Sequence, residues 1–264
     1  MKRKPPQFAD PPGVARKAGK ASKMRLDLLL VERGLAPSRA RAQAILLAGE
    51  VRVNGQPFDK PGTQIPSDAR VEIVGGSLRY ASRGGTKLEG ALDDFGVSPR
   101  DKICADIGSS TGGFTECLLQ HGAHKVYAVD VTIDQLDWKL RQDARVITVQ
   151  SNARYLQQEN IGEPVDLITA DVSFISVSKI LPAIRSIAAP DADFLILVKP
   201  QFELEKRDIG KGGIVRDESL RQKAIERVSA EVTGMGLEII GVRPSHLPGA
   251  GGNQEYFLHA RNRK

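Results

Sequence analysis

Cysteine is scarce in this chain: Cys104 and Cys117 are the only two in 264 residues. That is too few for a disulfide framework or a four-cysteine zinc site, and it predicts a reduced, cytoplasmic setting. Long apolar runs are missing as well. The best candidates, Leu28–Val31 and Phe194–Val198, have the size of core elements, against the roughly 18 to 20 residues that a membrane helix needs. This speaks against an integral membrane protein or a membrane-spanning toxin, and no membrane partner is expected. No apolar segment follows the basic N-terminus, so a secretory signal is not expected either. The four histidines are scattered without metal-ligand spacing, and no metal is expected. No internal repeat is visible.

What the chain does hold suits a globular protein of one large domain or two unequal ones, with 41% hydrophobic and 27% charged residues. The charge is unevenly placed. Residues 1–80 carry 15 Lys/Arg and 7 Asp/Glu, while residues 81–264 carry 23 and 25. Such an asymmetry points to a polyanion, nucleic acid above all, held by the N-terminal part. A solvated basic tail is the plainer alternative.

Residues 1–23 read as a disordered basic tail, since four prolines and scattered Lys/Arg leave little to bury. Residues 24–80 read as a small α+β module. Leu26, Leu29 and Leu30 have helical spacing in Arg25–Arg33, and Gly34 ends that helix. Ser38 can cap a second helix, Arg39–Ala48, closed by Gly49. Val51 to Gly55 is a strand entering an Asn-Gly turn, and Arg70–Val74 is a second strand. The stretch from Arg25 to Ile65, "RLDLLLVERGLAPSRARAQAILLAGEVRVNGQPFDKPGTQI", resembles the S4 RNA-binding domain. The resemblance implies that the second helix and the following loop grip structured RNA, with Arg25, Arg39, Arg41 and Lys60 at the matching basic positions.

A glycine-rich junction at residues 75–85 leads into a short helix, Thr86–Phe95. From Lys102 strand and helix alternate. The expected strands are Ile103–Ile107, Lys125–Asp130, Arg145–Val149, Val165–Ala170, Phe194–Lys199, Glu238–Pro244 and Tyr256–Ala260. The expected helices are Gly113–Gln120, Ile133–Gln142, Val177–Ala188 and Glu218–Met235. This alternation predicts an α/β fold with a mostly parallel sheet covered on both faces.

The first of these strands ends in Asp106-Ile-Gly-Ser-Ser-Thr-Gly-Gly-Phe114, and the next ends at Asp130, 22 residues after Gly108. A loop at the carboxyl end of a parallel strand, followed by an acid able to take ribose hydroxyls, is a ligand site. A dinucleotide fingerprint needs glycine where Ser110 stands, and a phosphate-cradling loop needs lysine where Phe114 stands. What remains suits S-adenosylmethionine. Asp106 would sit near its amino group. Gly108, Gly112 and Gly113 would let the backbone approach, and Asp130 would hold the ribose. Asn152 and Arg154 would border the adenine. Ser109, Ser110, Phe114 and Asp171 complete the expected cofactor set. An ordinary glycine-rich turn is the alternative.

Four polar residues fall where such a sheet presents its chemistry: Lys87, Asp171, Lys199 and Glu255. In this order they resemble the tetrad of FtsJ-like ribosomal-RNA 2′-O-methyltransferases. The stretches "SRGGTKL", "DIGSSTGGFT", "DVSFIS", "LVKPQFE", "IGKGGIVRD" and "LPGAGGNQEYFL" extend the likeness. The chain after Met24 is identified as a member of the TlyA family, an S4 domain followed by an FtsJ-like methyltransferase at 81–264. The resemblance implies a Rossmann-like, mostly parallel sheet with an antiparallel last strand. It also implies S-adenosylmethionine as donor and cytidine ribose in ribosomal RNA, presented on ribosomal subunits, as acceptor. A ribose hydroxyl must lose its proton while aligned with the donor methyl. Lys199 is the expected base, Lys87 orients the substrate, and Asp171 and Glu255 hold the two ammonium groups. The sequence leaves open which lysine gives up its proton. Phe174 either stacks on a flipped base or packs ordinarily. The polar segment Phe202–Val215 is either a mobile loop closing on RNA or an ordinary surface loop. Three rivals stay open: a methyltransferase of another substrate, a non-catalytic RNA-binding or assembly factor, and a haemolysin, as members are often labelled.

Overall fold

The computed structural model describes residues 22–36, 38–47, 49–73, 79–249 and 252–262. The expected disordered tail lies outside these residues apart from Ser22 and Lys23. Residues 75–78 of the glycine-rich junction also lie outside, and so do Ala48 and Val74 at the ends of an expected helix and strand, and Ala250 and Gly251. Lys23 belongs not to a tail but to a strand.

The N-terminal module runs β1 (Lys23–Arg25), α1 (Leu26–Glu32), α2 (Arg39–Leu47), β2 (Val51–Val53), β3 (Gln56–Phe58), β4 (Gln64–Pro66) and β5 (Val71–Ile73). β1 pairs with β4, and β2 lies between β3 and β5, all antiparallel. Asn54 and Gly55 both take positive φ, 51° and 82°, as the two-residue turn between β2 and β3 requires. The small core joins Leu26, Leu29 and Leu30 to Ile45, Leu46, Val51 and Ile65. β1, β3 and β4 are not among the expected strands: β1 lacks apolar alternation, and β3 and β4 contain Pro57 and Pro66, which argue against a strand.

The second module opens with α3 (Arg83–Phe95), which starts at a Ser82 cap bonded to the Gly84 N–H and stops at Gly96, φ 63°. It continues through β6 (Ile103–Ile107), α4 (Gly113–Gln120), β7 (Lys125–Asp130), α5 (Trp138–Gln142), β8 (Val146–Gln150), α6 (Gln158–Ile161), β9 (Val165–Ala170) and α7 (Leu181–Ser186). Then come β10 (Ala188–Val198), α8 (Pro200–Glu203), α9 (Glu218–Gly234), β11 (Leu237–Pro244) and β12 (Tyr256–Asn262). The sheet order is β11-β12-β10-β9-β6-β7-β8. β10 through β8 are parallel, and β12 runs antiparallel to both its neighbours. Alternate strand residues feed two cores. Ala105, Ile168 and Phe194 pack with Ile184 and Val228 on one face, whereas Cys104, Leu167 and Leu195 pack with Leu88 and Leu118 on the other.

Two expected helices are broken. Ile133–Gln142 divides into a 3₁₀ turn (Ile133–Gln135) and α5, because buried Leu136 is extended and Asp137 caps a new start at the Lys139 N–H. Val177–Ala188 divides likewise into a turn at Val177–Lys179 and α7, whose first turn holds Pro182. Proline lacks the N–H that a helix interior needs, so it fits a start. β10 begins at Ala188 rather than Phe194, with a register shift before Asp193. Burial pushes the Asp193 pKa up, but hydrogen bonds from His259, Lys102 and Arg261 outweigh it and hold the carboxylate below its usual range.

Strand order reverses about β6, so the loops after β6 and β9 flank the crevice where open α/β sheets bind ligands. α3 and α4 cross closely beside it. A Cβ on Gly113 would lie 2.2 Å from Ser82 Oγ and 2.9 Å from the Gly85 nitrogen. Gly113→Ala is therefore expected to push the helices apart and cost about 1–3 kcal/mol, the range for overpacking. Calorimetric melting of the variant against the parent chain checks it, and an unchanged melting temperature counts against the close packing.

Candidate active site

The loop after β6 folds back on its own sheet. The Gly108 and Ser109 N–H groups both donate to the Val129 carbonyl. Gly108 has φ 86°, and a Cβ there would stand 2.7 Å from the Asp171 carbonyl oxygen. A Cβ on Gly112, φ 95°, would meet the Leu140 side chain at 2.2 Å. These glycines answer first to the protein's own packing, whereas the sequence reading had assigned them to ligand approach. Ser110 also takes positive φ, 47°. Its N–H donates to Asp130 Oδ2 at 2.9 Å, and the Thr132 N–H donates to Oδ1. Asp130 thus braces the loop.

Asp106 is fully buried behind this loop. One oxygen accepts from Thr115 Oγ1 at 2.6 Å, and the other, Oδ1, has no partner among the described residues. Burial, reinforced by the neighbouring Asp171 charge and only partly offset by Thr115, pushes its pKa up to about 7.

The four tetrad positions converge as two ion pairs. Lys87, one turn into α3, meets Glu255 Oε2 at 2.6 Å. Lys199, just past β10, pairs with Asp171 and donates to Ser173 Oγ at 2.9 Å. Both lysines are nearly buried, 9% and 8% exposed. A Cβ on Gly249 would lie 2.0 Å from Glu255 Oε1, so the loop before β12 closes directly on that carboxylate. Ser173 was missed from sequence; its only signal was its place in DVSFIS.

Lys87 and Asp171 stand on the wall of a cavity of about 380 Å³, within the usual size of small-molecule sites. Gly108, Ser109, Ser110, Gly113 and Phe114 line it too, with Gln43 and Leu47 of α2 at its other side. Phe114 is fixed by stacking on Phe257, ring centroids 6.0 Å apart. Asn152 and Arg154 do not line this cavity. Both are exposed, and Asn152 Oδ1 caps the turn at Ala153–Tyr155. Asp106 and Asp130 stand behind the loop and not on the cavity wall. The unpartnered Asp106 oxygen and the Asp130 carboxylate suit an ammonium and a ribose, and the small loop residues line the space between.

The basic face holds a feature that the sequence reading did not find. Asp27 is completely buried and accepts from Arg25 (Nε and Nη2, 2.9 Å each), Arg39 Nε and Gln43 Nε2. The Arg25 bond above all, against the burial penalty and with Gln43 and Arg39 helping, holds its pKa far below the usual range. Arg41 donates to the Tyr80 carbonyl at 2.9 Å, and Lys60 is exposed. Phe202–Val215, expected as a loop, contains helical turns at Lys206–Asp208 and Lys211–Gly213. Asn253 anchors its end by accepting from the Val215 N–H and donating to the Gly213 carbonyl.

Asp27→Ala is expected to leave two guanidinium groups without their carboxylate and to cost roughly 2 kcal/mol, less than the roughly 3–5 kcal/mol of a fully buried pair because both arginines keep contact with water. Asp27 has a lowered folded pKa. Its contribution is therefore full above the ordinary aspartate value near 4 and is lost as pH falls toward the folded value. Melting curves of parent and variant should converge as the solution is acidified below about pH 4. A constant gap sinks the assignment.

Residues 80–262 match the FtsJ-like methyltransferase family and residues 24–71 the S4 domain. The 16S/23S rRNA (cytidine-2′-O)-methyltransferase TlyA of Mycobacterium tuberculosis is 46% identical over 243 residues, covering 91% of each chain. Hemolysin A of Brachyspira hyodysenteriae is 43% identical over 238 residues, 89% of this chain and 99% of that one. A solved structure described as a hemolysin of Streptococcus thermophilus superposes with a TM-score of 0.73 at 42% identity, covering 92% of this chain and 90% of the other. Among the described residues no helix is long and apolar enough to cross a membrane. With both domain matches in chain order and such identity over nine-tenths of its length, the chain belongs to the TlyA family of S4-bearing, FtsJ-like methyltransferases.

Proposed function

We propose that this protein is a cytoplasmic ribosomal-RNA 2′-O-methyltransferase acting on cytidine ribose in ribosomal subunits. The observation that carries the reading is the pair of nearly buried lysine–carboxylate contacts, Lys87–Glu255 and Lys199–Asp171, at the ligand end of the parallel sheet. The methyl donor is S-adenosylmethionine, which when bound supplies a methyl group activated on a sulfonium. Asp106 takes the donor's ammonium on its free oxygen, Asp130 its ribose, and the loop from Gly108 to Phe114 its body. Asn152 and Arg154 border the adenine from outside the cavity.

A ribose hydroxyl attacks well only as its proton leaves. Once its own ammonium proton has passed to solvent, Lys199 Nζ accepts the hydroxyl proton, and Asp171 stabilises the ammonium that results. Lys87, held by Glu255, orients the ribose or its phosphate. No step in this scheme calls for a metal. Phe174 is 92% exposed beside this site and offers an aromatic face to a base turned out of its stack. Arg25, Arg39, Arg41 and Lys60 grip the RNA backbone from the S4 domain.

Mapping 2′-O-methyl marks on ribosomal RNA, with and without the protein, tests the reading. Lys199→Ala should abolish the mark while donor and RNA binding stay nearly intact. Lys199→Arg should be nearly as inactive, because guanidinium stays protonated at working pH. Substantial activity in the arginine variant would show that charge alone is needed there.

The buried Asp106 gives a second test. With its pKa pushed up to about 7, the ligand-free site holds a proton below neutrality. A cationic donor favours the ionised form. Donor affinity should therefore rise as pH increases toward 7 and level off above it, and Asp106→Asn should flatten the profile. Titration calorimetry across this range decides the point, and an equal slope in both proteins removes Asp106 from the donor site.

A further inference from the structure

Glu203 closes α8 and takes part in none of the steps above. It is only 1% exposed, yet it is not idle. Its Oε2 accepts from Ser176 Oγ at 2.6 Å and its Oε1 from the Val177 N–H at 2.8 Å. Its backbone carbonyl accepts from Arg227 Nη1 at 2.7 Å, which ties the turn to α9. Ser176 and Val177 belong to the loop after β9, which also carries Asp171, Ser173 and Phe174. Glu203 belongs to the short helix that begins immediately after Lys199. The carboxylate therefore bridges the two loops from which the proposed proton acceptor, its partner and the exposed aromatic all project.

Phe174 needs such a bridge. Its φ is 65°, a left-handed conformation that costs a bulky residue free energy and persists only where the surroundings enforce it. Its neighbour is Phe202, at a centroid distance of 5.4 Å and a tilt of 49°, one residue before Glu203. A single helical turn thus supplies both the ring that backs Phe174 and the acid that ties down the loop behind it.

We propose that Glu203 is a positioning residue for methyl transfer: its carboxylate clamps the loop at residues 172–177 onto the turn after Lys199. The clamp holds Phe174 exposed in its left-handed pose, ready to stack on the target base, and keeps Ser173 against the Lys199 amine. The inference rests on the RNA-methyltransferase reading. Glu203→Gln preserves the clamp, because its amide oxygen can accept from Val177 and its NH₂ can donate to a rotated Ser176 hydroxyl. Glu203→Ala removes both contacts and leaves a buried N–H unpaired.

The experiment is a mutant cycle on methyl transfer to ribosomal subunits, with Glu203→Ala, Glu203→Gln, Phe174→Ala and the alanine double variant. Donor affinity by calorimetry and melting temperature accompany each protein. Glu203→Ala should lower kcat at least about tenfold, with donor Kd within roughly twofold, and Glu203→Gln should recover most of the loss. In the Phe174→Ala background the same alanine should cost at least about threefold less than in the parent, what remains being the share that acts through Ser173 on the Lys199 amine, because residues acting through one another are not additive. An equal loss in both backgrounds, a glutamine variant as poor as alanine, or unaltered kcat in Glu203→Ala each overturns the proposal. If Glu203→Ala melts below the assay temperature, Ser176→Ala replaces it in the cycle. That variant should lower kcat about threefold, and full activity in it overturns the clamp equally. Absence of any 2′-O-methyl mark from the parent protein would instead sink the functional reading itself, whatever the variants do.

Discussion

The backbone carbonyl of Asp171 stands where a Cβ on residue 108 would be only 2.7 Å away. That close approach, together with the Asp171 N–H donating to the Ile107 carbonyl at 2.9 Å, seals the loop after β6 to the loop after β9. The rest of the site depends on it. The first loop carries the small residues that line the cavity, and the second carries Asp171 and with it the hold on Lys199. Only glycine combines φ 86° with no side chain at that contact. A donor loop and a chemical loop from neighbouring parallel strands thus become one wall, at the point where the strand order reverses.

Charge is managed on that wall by pairing. An ammonium group in a poorly hydrated place is costly to desolvate without a partner. Lys87 and Lys199 each have their own carboxylate, drawn from a different element: Glu255 from the start of β12 and Asp171 from the end of β9. The antiparallel last strand matters for this reason. β12 enters the sheet from the ligand end, so the residue preceding it stands among the carboxyl ends of parallel strands. Asp106 is treated in the opposite way. It lies fully buried in β6 with a single side-chain partner, the Thr115 hydroxyl, and its raised pKa keeps a protonatable acid where a cationic ligand is expected.

How far the fold was legible follows from signal length. β6, β7 and β9, α4 and the ends of α9 stand where periodicity put them within a residue, because five or more residues of alternating or helical pattern are self-defining. The three-residue strands of the S4 module lack that length. The helix breaks at Leu136–Asp137 and at Ile180 depend on a cap and a proline that compete with an otherwise helical pattern. In the site, the four tetrad positions were legible through their likeness to the FtsJ-like tetrad; Asp171, Lys199 and Glu255 lie at strand ends and Lys87 one turn into α3. The partners Thr115, Ser173 and Glu203 were not, since nothing in their spacing says which acid or amine they will meet.

Asp27 shows the same limit and leads to the last step. It interrupts a leucine-rich helix face, which from sequence looks like a tolerated polar residue. In the structure it gathers Arg25 and Arg39, two of the expected RNA contacts, and Gln43, which lines the cavity. Asp27 holds these guanidinium groups in fixed directions, taking the Nε–Nη2 edge of Arg25, and a side chain already held loses less entropy in a further contact. One buried carboxylate therefore orders the basic face of the S4 module and also fixes a side chain on the wall of the methyl-transfer cavity. Basic side chains of the N-terminal module and a side chain on the cavity wall are held to a common reference. On the RNA-methyltransferase reading proposed above, a ribose whose backbone those arginines hold would reach a defined place at the cavity.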